Sequence, residues 1–341
     1  MGSLIPRQGS RRECDSGNSV TGWSYVPIGI VCPVISEEPK FETLSIGAEN
    51  PQNLRWIRIQ GKRPGPAVLI TAGIHGAEYV GIEAARRIAR ELNEQNVLGS
   101  VTIVALSNPS AFEARVPAVN PCDGKNLNRE FPGNASGTLT QQIAAVITEM
   151  QRASDFYIDL HGGDLHEKLS PYVYLPGMCD GSVTEKARRA CRYVDVPVRV
   201  LSQATTGAYN SAAVIGVPSI LIERGQGGRW SEAEVALYRK DIASVLEHLG
   251  VIEKGALGEV NSERHDQRES PRAVYAGSRH DGLWYPRVEP GDEVKAGQCL
   301  GILCDFDGNE IDRVEAEMDA TVLYLSGTLF VPSGRDLVAY G

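Results

Sequence analysis

The stretch Ala67-Val-Leu-Ile-Thr-Ala-Gly-Ile-His-Gly-Ala-Glu78 decides how this chain folds. Residues 67–71 form a continuous apolar run, the pattern of a strand buried on both faces of a parallel sheet. Gly73 and Gly76 follow, where a tight turn and close approach of backbone to a ligand need a residue without a side chain. A helix is predicted over 81–95. Ile82, Ala85, Ile88, Ala89 and Leu92 share one face, with Arg86, Arg87, Arg90 and Glu94 largely opposite.

The same alternation repeats outward from this unit. Residues 54–59, 101–106, 156–160, 172–175 and 218–222 read as strands, and 140–153 and 185–194 as helices. A last helix opens with the capping box Ser231/Glu234, runs to Leu249 and stops at Gly250. Residues 21–255 are therefore expected to be an α/β domain: a mixed, mostly parallel sheet with helices on both faces. A long polar loop is expected from 108 to about 138. Residues 256–271 have the polar composition of a linker. Residues 272–341 lose the helical period and read as a small C-terminal all-β domain of short strands between turns such as Val288-Glu-Pro-Gly-Asp292. Residues 1–20 read as a polar, mobile tail.

At about 150 residues per domain, a chain of 341 residues suggests two domains. It is 42% hydrophobic and 23% charged, as a soluble globular protein should be. The formal net charge of −9 argues against a nucleic-acid coat or a polybasic membrane binder, which need clustered cations. No apolar run approaches the ~20 residues of a membrane helix. The longest uncharged stretch, 16–36, is broken by Pro27 and Pro33 and makes neither a membrane span nor a signal core. Seven cysteines without a C-x-x-C fit reduced thiols in a cytoplasmic protein and argue against a Cys₄ zinc site.

Two of the six histidines stand directly after buried strands: His75, and His161 in Asp159-Leu-His-Gly-Gly163. Ligands of open α/β sheets bind just beyond the carboxyl ends of the strands. Glu78, three residues past His75, brings a carboxylate to the same turn. His75, Glu78 and His161 then make a His₂Glu set that leaves a fourth position for water, the arrangement of catalytic zinc. His-x-x-Glu alone is often a surface coincidence; the strand-end placement and the adjoining glycines strengthen it. His166 is a weaker neighbour, and His248, His265 and His280 have ordinary surroundings.

In the long loop, Asp123-Gly-Lys-Asn-Leu-Asn-Arg-Glu-Phe-Pro-Gly133 is rich in orienting side chains. Arg129 suits a substrate carboxylate bidentately, Asn128 can donate beside it, and Arg115 is a further cation. The alternative is a solvated loop using Asn, Asp and Gly as turn formers. Glu223 ends the strand at 218–222 on the same edge as the histidines and is placed for general acid–base work. Its alternative is an ion pair with Arg224 or Arg229. Those arginines, if free, would favour an anionic or aromatic substrate.

His-Gly-Ala-Glu (75–78), Asn-Pro-Ser-Ala-Phe (108–112), the 123–133 segment, Asp-Leu-His (159–161) and Glu-Arg-Gly (223–225) occur in this order. Together they resemble the zinc carboxypeptidase superfamily, in its succinylglutamate desuccinylase/aspartoacylase branch, over residues 54–341. The resemblance implies one zinc ion per chain on His75, Glu78 and His161. It implies that Glu223 deprotonates the attacking water and then protonates the departing amine, and that Arg129 and Asn128 bind substrate. A second arginine stabilises the oxyanion in this family; Arg115 lies in the corresponding stretch without a residue-by-residue match. The C-terminal segment also looks like the hammerhead of biotinyl and lipoyl carriers, but Glu315-Ala-Glu-Met-Asp-Ala320 lacks the lysine they modify. Tyr285 is a further contact that the family's entrance domain suggests.

The function expected is a zinc amidohydrolase that removes an acyl group from a small N-acyl amino acid in the cytoplasm. No nucleic-acid or membrane partner is expected, and a homo-oligomer is left open. A metallocarboxypeptidase acting on peptides and a catalytically dead binding protein are the alternatives.

Overall fold

The computed structural model describes residues 41–47 and 51–341. The expected tail at 1–20 and the segment at 21–40 lie outside the described residues. Nine strands make the main sheet: β1 (Glu42–Ile46), β2 (Gln52–Gln60), β3 (Arg63–Ala72), β4 (Leu98–Leu106), β5 (Phe156–His161), β6 (Tyr172–Pro176), β7 (Val198–Ser202), β8 (Ser219–Glu223) and β9 (Arg268–Ser270). Their spatial order is β1-β2-β4-β3-β5-β8-β6-β7-β9. The centre, β4-β3-β5-β8, is parallel, as are β6-β7-β9, while β1-β2, β2-β4 and β8-β6 run antiparallel.

Apolar runs make the central strands because both faces are covered. Val68, Ile70, Ile158, Leu160, Ile220 and Ile222 pack on one side with α1 (Tyr79–Glu91), α4 (Gly181–Cys191) and α6 (Glu232–His248). The intervening Leu69, Tyr157 and Leu221 pack on the other, against α3 (Leu139–Arg152) and α5 (Ala208–Val214). The fold class is thus the mixed, mostly parallel sheet with helices on both faces that the sequence predicts, with an all-β C-terminal region.

Register sets up the site. Thr71 pairs with Asp159 and Ala72 with Leu160, while His161 pairs with Glu223. The carboxyl ends of β3, β5 and β8 therefore lie side by side, and whatever follows them meets at one edge.

Several segments differ from the sequence reading. The expected loop at 108–138 contains the helix α2 (Pro109–Ala114), a short hairpin and a 3₁₀ turn over Leu127–Arg129. Asn108 caps α2 by accepting from the Ala111 N–H, and Pro109 takes the first helical position. The strand β7 and the helix α5 lie in a stretch without a clear period. The last residues of the expected linker form β9, paired parallel with β7. Glu167–Leu169 lies outside the main sheet and pairs antiparallel with Ala320–Ser326, so this segment of the α/β region joins the C-terminal sheet by backbone hydrogen bonds. Among the described residues, no helix is long and apolar enough to cross a membrane.

Arg224 turns into the core, away from the cavity edge. Its Nε and Nη2 donate to Asp241 Oδ2 at 3.0 and 2.7 Å, and Nη2 also donates to the Asp195 carbonyl. The backbone N–H of Asp195 and the Asn261 side chain donate to the other oxygen of Asp241. This arginine is a structural partner of α6 and does not line the cavity. Removing one member of a buried pair leaves an uncompensated charge. Asp241→Ala is expected to cost about 3–5 kcal/mol in urea denaturation, whereas Arg224→Met with Asp241→Leu should recover most of that loss.

Candidate active site

His75 leaves β3 on the turn before α1, and Glu78 is the residue on which α1 starts. His161 is the last residue of β5. The two imidazoles meet edge to face, centroids 4.9 Å apart, with Glu78 against both. His75 Nδ1 lies 2.7 Å from Glu78 Oε1, and His161 Nδ1 lies 3.0 Å from Oε2. Ligand atoms of all three fall within 4.8 Å of one another.

The far nitrogens are also held. His75 Nε2 is 3.2 Å from Asn126 Oδ1, and His161 Nε2 is 3.3 Å from Asp159 Oδ2. Thr71 Oγ1 donates to Asp159 Oδ1 and sits 2.5 Å from the Tyr157 hydroxyl. A proton held on each Nε2 by an oxygen acceptor leaves each Nδ1 lone pair facing Glu78, which is how metal-binding histidines are oriented. Glu78 Oε2 is buried without an aligned hydrogen bond. A buried carboxylate against two imidazole nitrogens, one of its oxygens without an aligned hydrogen bond, fits a divalent cation.

The electrostatics agree. Burial raises the Glu78 carboxyl, but His161 and His75 override it and hold the group at about 2. Burial lowers His161, yet Glu78 and Asp159 raise it well above the usual imidazole range. The cluster thus demands positive charge, as protons on nitrogen or as a metal ion. Burial pushes the Glu223 carboxyl well up; His161 opposes this, while Glu78, Glu167 and Asp159 reinforce it. Among the described residues no ion pair joins Glu223 to Arg224, which is committed to Asp241.

These groups line a cavity of about 600 Å³. Glu223, Asn128 and Arg129 line it as well. Asn128 Oδ1 accepts from the Ala208 N–H at the start of α5, so its Nδ2 is the end left for a ligand. The cavity also gathers Tyr172, Tyr174 and Glu167 from around β6, and Tyr275, Tyr324, Arg335 and Asp336 from the C-terminal strands. Burial and the Asp164 carboxylate push Glu167 up to about 8.

Arg115 does not line the cavity; it caps α2 in the left-handed conformation, φ 55°. Tyr285 is exposed elsewhere on the C-terminal strands, and Tyr275 occupies the wall instead. Sequence reasoning missed Asp159 as the partner of His161. The signal was there: a carboxylate two residues before the histidine, hence on the same strand face, in an otherwise apolar run. Asn126 had a weaker one, and the wall from 275, 324 and 335–336 had none.

The catalytic-domain profile of succinylglutamate desuccinylase/aspartoacylase matches residues 64–249. The chain belongs to this family. Within it, the chain is 31% identical over 265 residues to the N-alpha-acetyl-L-2,4-diaminobutyric acid deacetylase of Halomonas elongata, covering 76% of this chain and 77% of that protein. The product-bound ectoine utilization protein EutE (DoeB) of Ruegeria pomeroyi superposes with a TM-score of 0.77 at 25% identity, over 91% of this chain and 97% of that one. A family member from Rhodobacter sphaeroides shares the fold, with a TM-score of 0.76 at 22% identity over 91% and 97%.

If the far-nitrogen contacts set ligand orientation, Asp159→Asn should weaken zinc binding about 10–100-fold in a chelator competition. Unchanged affinity would remove that role from Asp159.

Proposed function

We propose that this chain is a zinc-dependent amidohydrolase that removes a short acyl group from a small N-acyl amino acid. The observation that carries this reading is the His75–Glu78–His161 cluster, with its ligand atoms within 4.8 Å of one another and both far nitrogens held, beside Glu223 in one cavity. When bound there, zinc would polarise the amide carbonyl and lower the pKa of water toward ~7. Glu223 takes the proton of the attacking water and returns it to the nitrogen that leaves; burial raises its affinity for that proton above that of an ordinary carboxylate. Arg129 grips the substrate carboxylate as a two-pronged donor, and Asn128 Nδ2 donates beside it. Arg115 takes no part in this reading.

The Halomonas relative acts on an N-acetyl diamino acid. Apart from the metal cluster and Glu223, the wall carries Asp164, Glu167 and Asp336 against Arg129 and Arg335, which favours a substrate with a free amine as well as a carboxylate. The five described cysteines are free, in keeping with a cytoplasmic setting.

Zinc-dependent amine release from acetyl diamino acids, lost on chelation and restored by zinc, is the expected result across a panel of N-acyl amino acids and peptides. Cleavage of peptides alone would turn the assignment to a carboxypeptidase. Glu223→Gln should keep its zinc and lose about 10²–10⁴-fold in turnover; full activity would end its role as base. Arg129→Lys keeps charge but loses the fork, so KM should rise about tenfold or more with kcat little changed.

A further inference from the structure

Behind the cavity, one buried tyrosine touches both strands that carry the site. Tyr238 of α6 is fully buried. Its hydroxyl lies 2.9 Å from the carbonyl oxygen of His161 and 2.6 Å from that of Ile222, the residue before Glu223. The phenol's single proton lies in the gap between β5 and β8, shared by the two carbonyls in a three-centre bond at the pair where the strands' last residues meet, His161 opposite Glu223. The His161 carbonyl also accepts from the Arg224 N–H, so the two strand ends and α6 converge on it.

The neighbouring helix is shaped to admit this ring. Gly81 of α1 faces it: a Cβ there would stand 3.3 Å from Tyr238 Cε1 and 3.2 Å from Leu160 Cβ. Any side chain at 81 would press the ring or the strand that ends in His161. The absent side chain at Gly81 and the hydroxyl of Tyr238 are thus two parts of one packing arrangement.

We propose that Tyr238 is a positioning residue that fixes the distance between the metal ligand His161 and the base Glu223, through the two carbonyls it bridges. The proposal rests on the metal-hydrolase reading above. Main-chain position at the ends of β5 and β8 sets where the imidazole and the carboxylate can stand, and a shift well under 1 Å is costly in catalysis.

Tyr238→Phe keeps the ring and deletes only the bridging oxygen. The variant is expected to bind zinc about 10–100-fold more weakly in chelator competition, the range for groups that orient ligands. The visible absorption bands of the cobalt-loaded protein should shift, and kcat should fall at least tenfold with KM within twofold. Gly81→Ala leaves the hydroxyl but displaces the ring, so it should move the same readouts in the same direction. The double variant should be little worse than the worse single one, as for groups acting as a unit. If both single variants bind zinc and turn over like the unaltered protein and lose only thermal stability, Tyr238 is core packing and the proposal falls. If Tyr238→Phe does not fold, Gly81→Ala decides by the same readouts. An unaltered protein that binds zinc but cleaves no N-acyl amino acid would overturn the assigned reaction, while zinc affinity and the cobalt bands still test the positioning. A protein that binds neither metal overturns both.

Discussion

The parallel pairing of β3, β5 and β8 is the constraint on which the rest of this molecule depends. Main-chain hydrogen bonds hold Thr71 beside Asp159 and His161 beside Glu223, so three strand ends stop at one line. His75 and Glu78 follow the first strand, His161 closes the second and Glu223 closes the third. A slip of one residue in either pairing would turn the side chain at that strand end to the other face. Both faces are covered by helices, so the register is tied to core packing and cannot drift without exposing apolar surface.

On this frame the chain collects an excess of carboxyl groups. Burial, Glu78, Glu167 and Asp159 push the Glu223 carboxyl up against the opposing His161, and burial, Asp164 and Glu78 push Glu167 up. Such a group stays buried only if cations or protons balance it. A divalent ion between Glu78 and the two imidazoles would do so, and the raised Glu223 is where a proton can reside. The same electrostatic demand suits both a divalent cation among the imidazoles and a proton on Glu223.

The Glu167–Leu169 strand gives the C-terminal segment its hold. It pairs with Ala320–Ser326 just after the loop that follows His161. The pairing carries Tyr324 to the cavity wall, and the neighbouring strands add Tyr275, Arg335 and Asp336. The cavity's edge at His161 and Glu223 is built by the sheet, while much of its wall comes from residues more than a hundred positions away.

Features with a local cause can be read from the residues in order along the chain. Apolar runs at 67–71, 156–160 and 218–222 mark strands buried on two faces, and the residues directly after them must stand at the sheet's edge; that is why His75, Glu78, His161 and Glu223 were legible. Asp159 was legible in principle, by the period of two along β5. Tertiary structure alone decided the destinations of the arginines. Arg224 follows Glu223 directly, yet a buried carboxylate on α6 claims it. Arg115 shares a loop with Arg129 but is held outside the cavity as a helix cap. It also decided that Tyr275 and not Tyr285 reaches the cavity, and that one hydroxyl of α6 spans two strand ends. The physical reason is that periodicity encodes which face of an element is buried, whereas the partner found on that face depends on how distant elements pack.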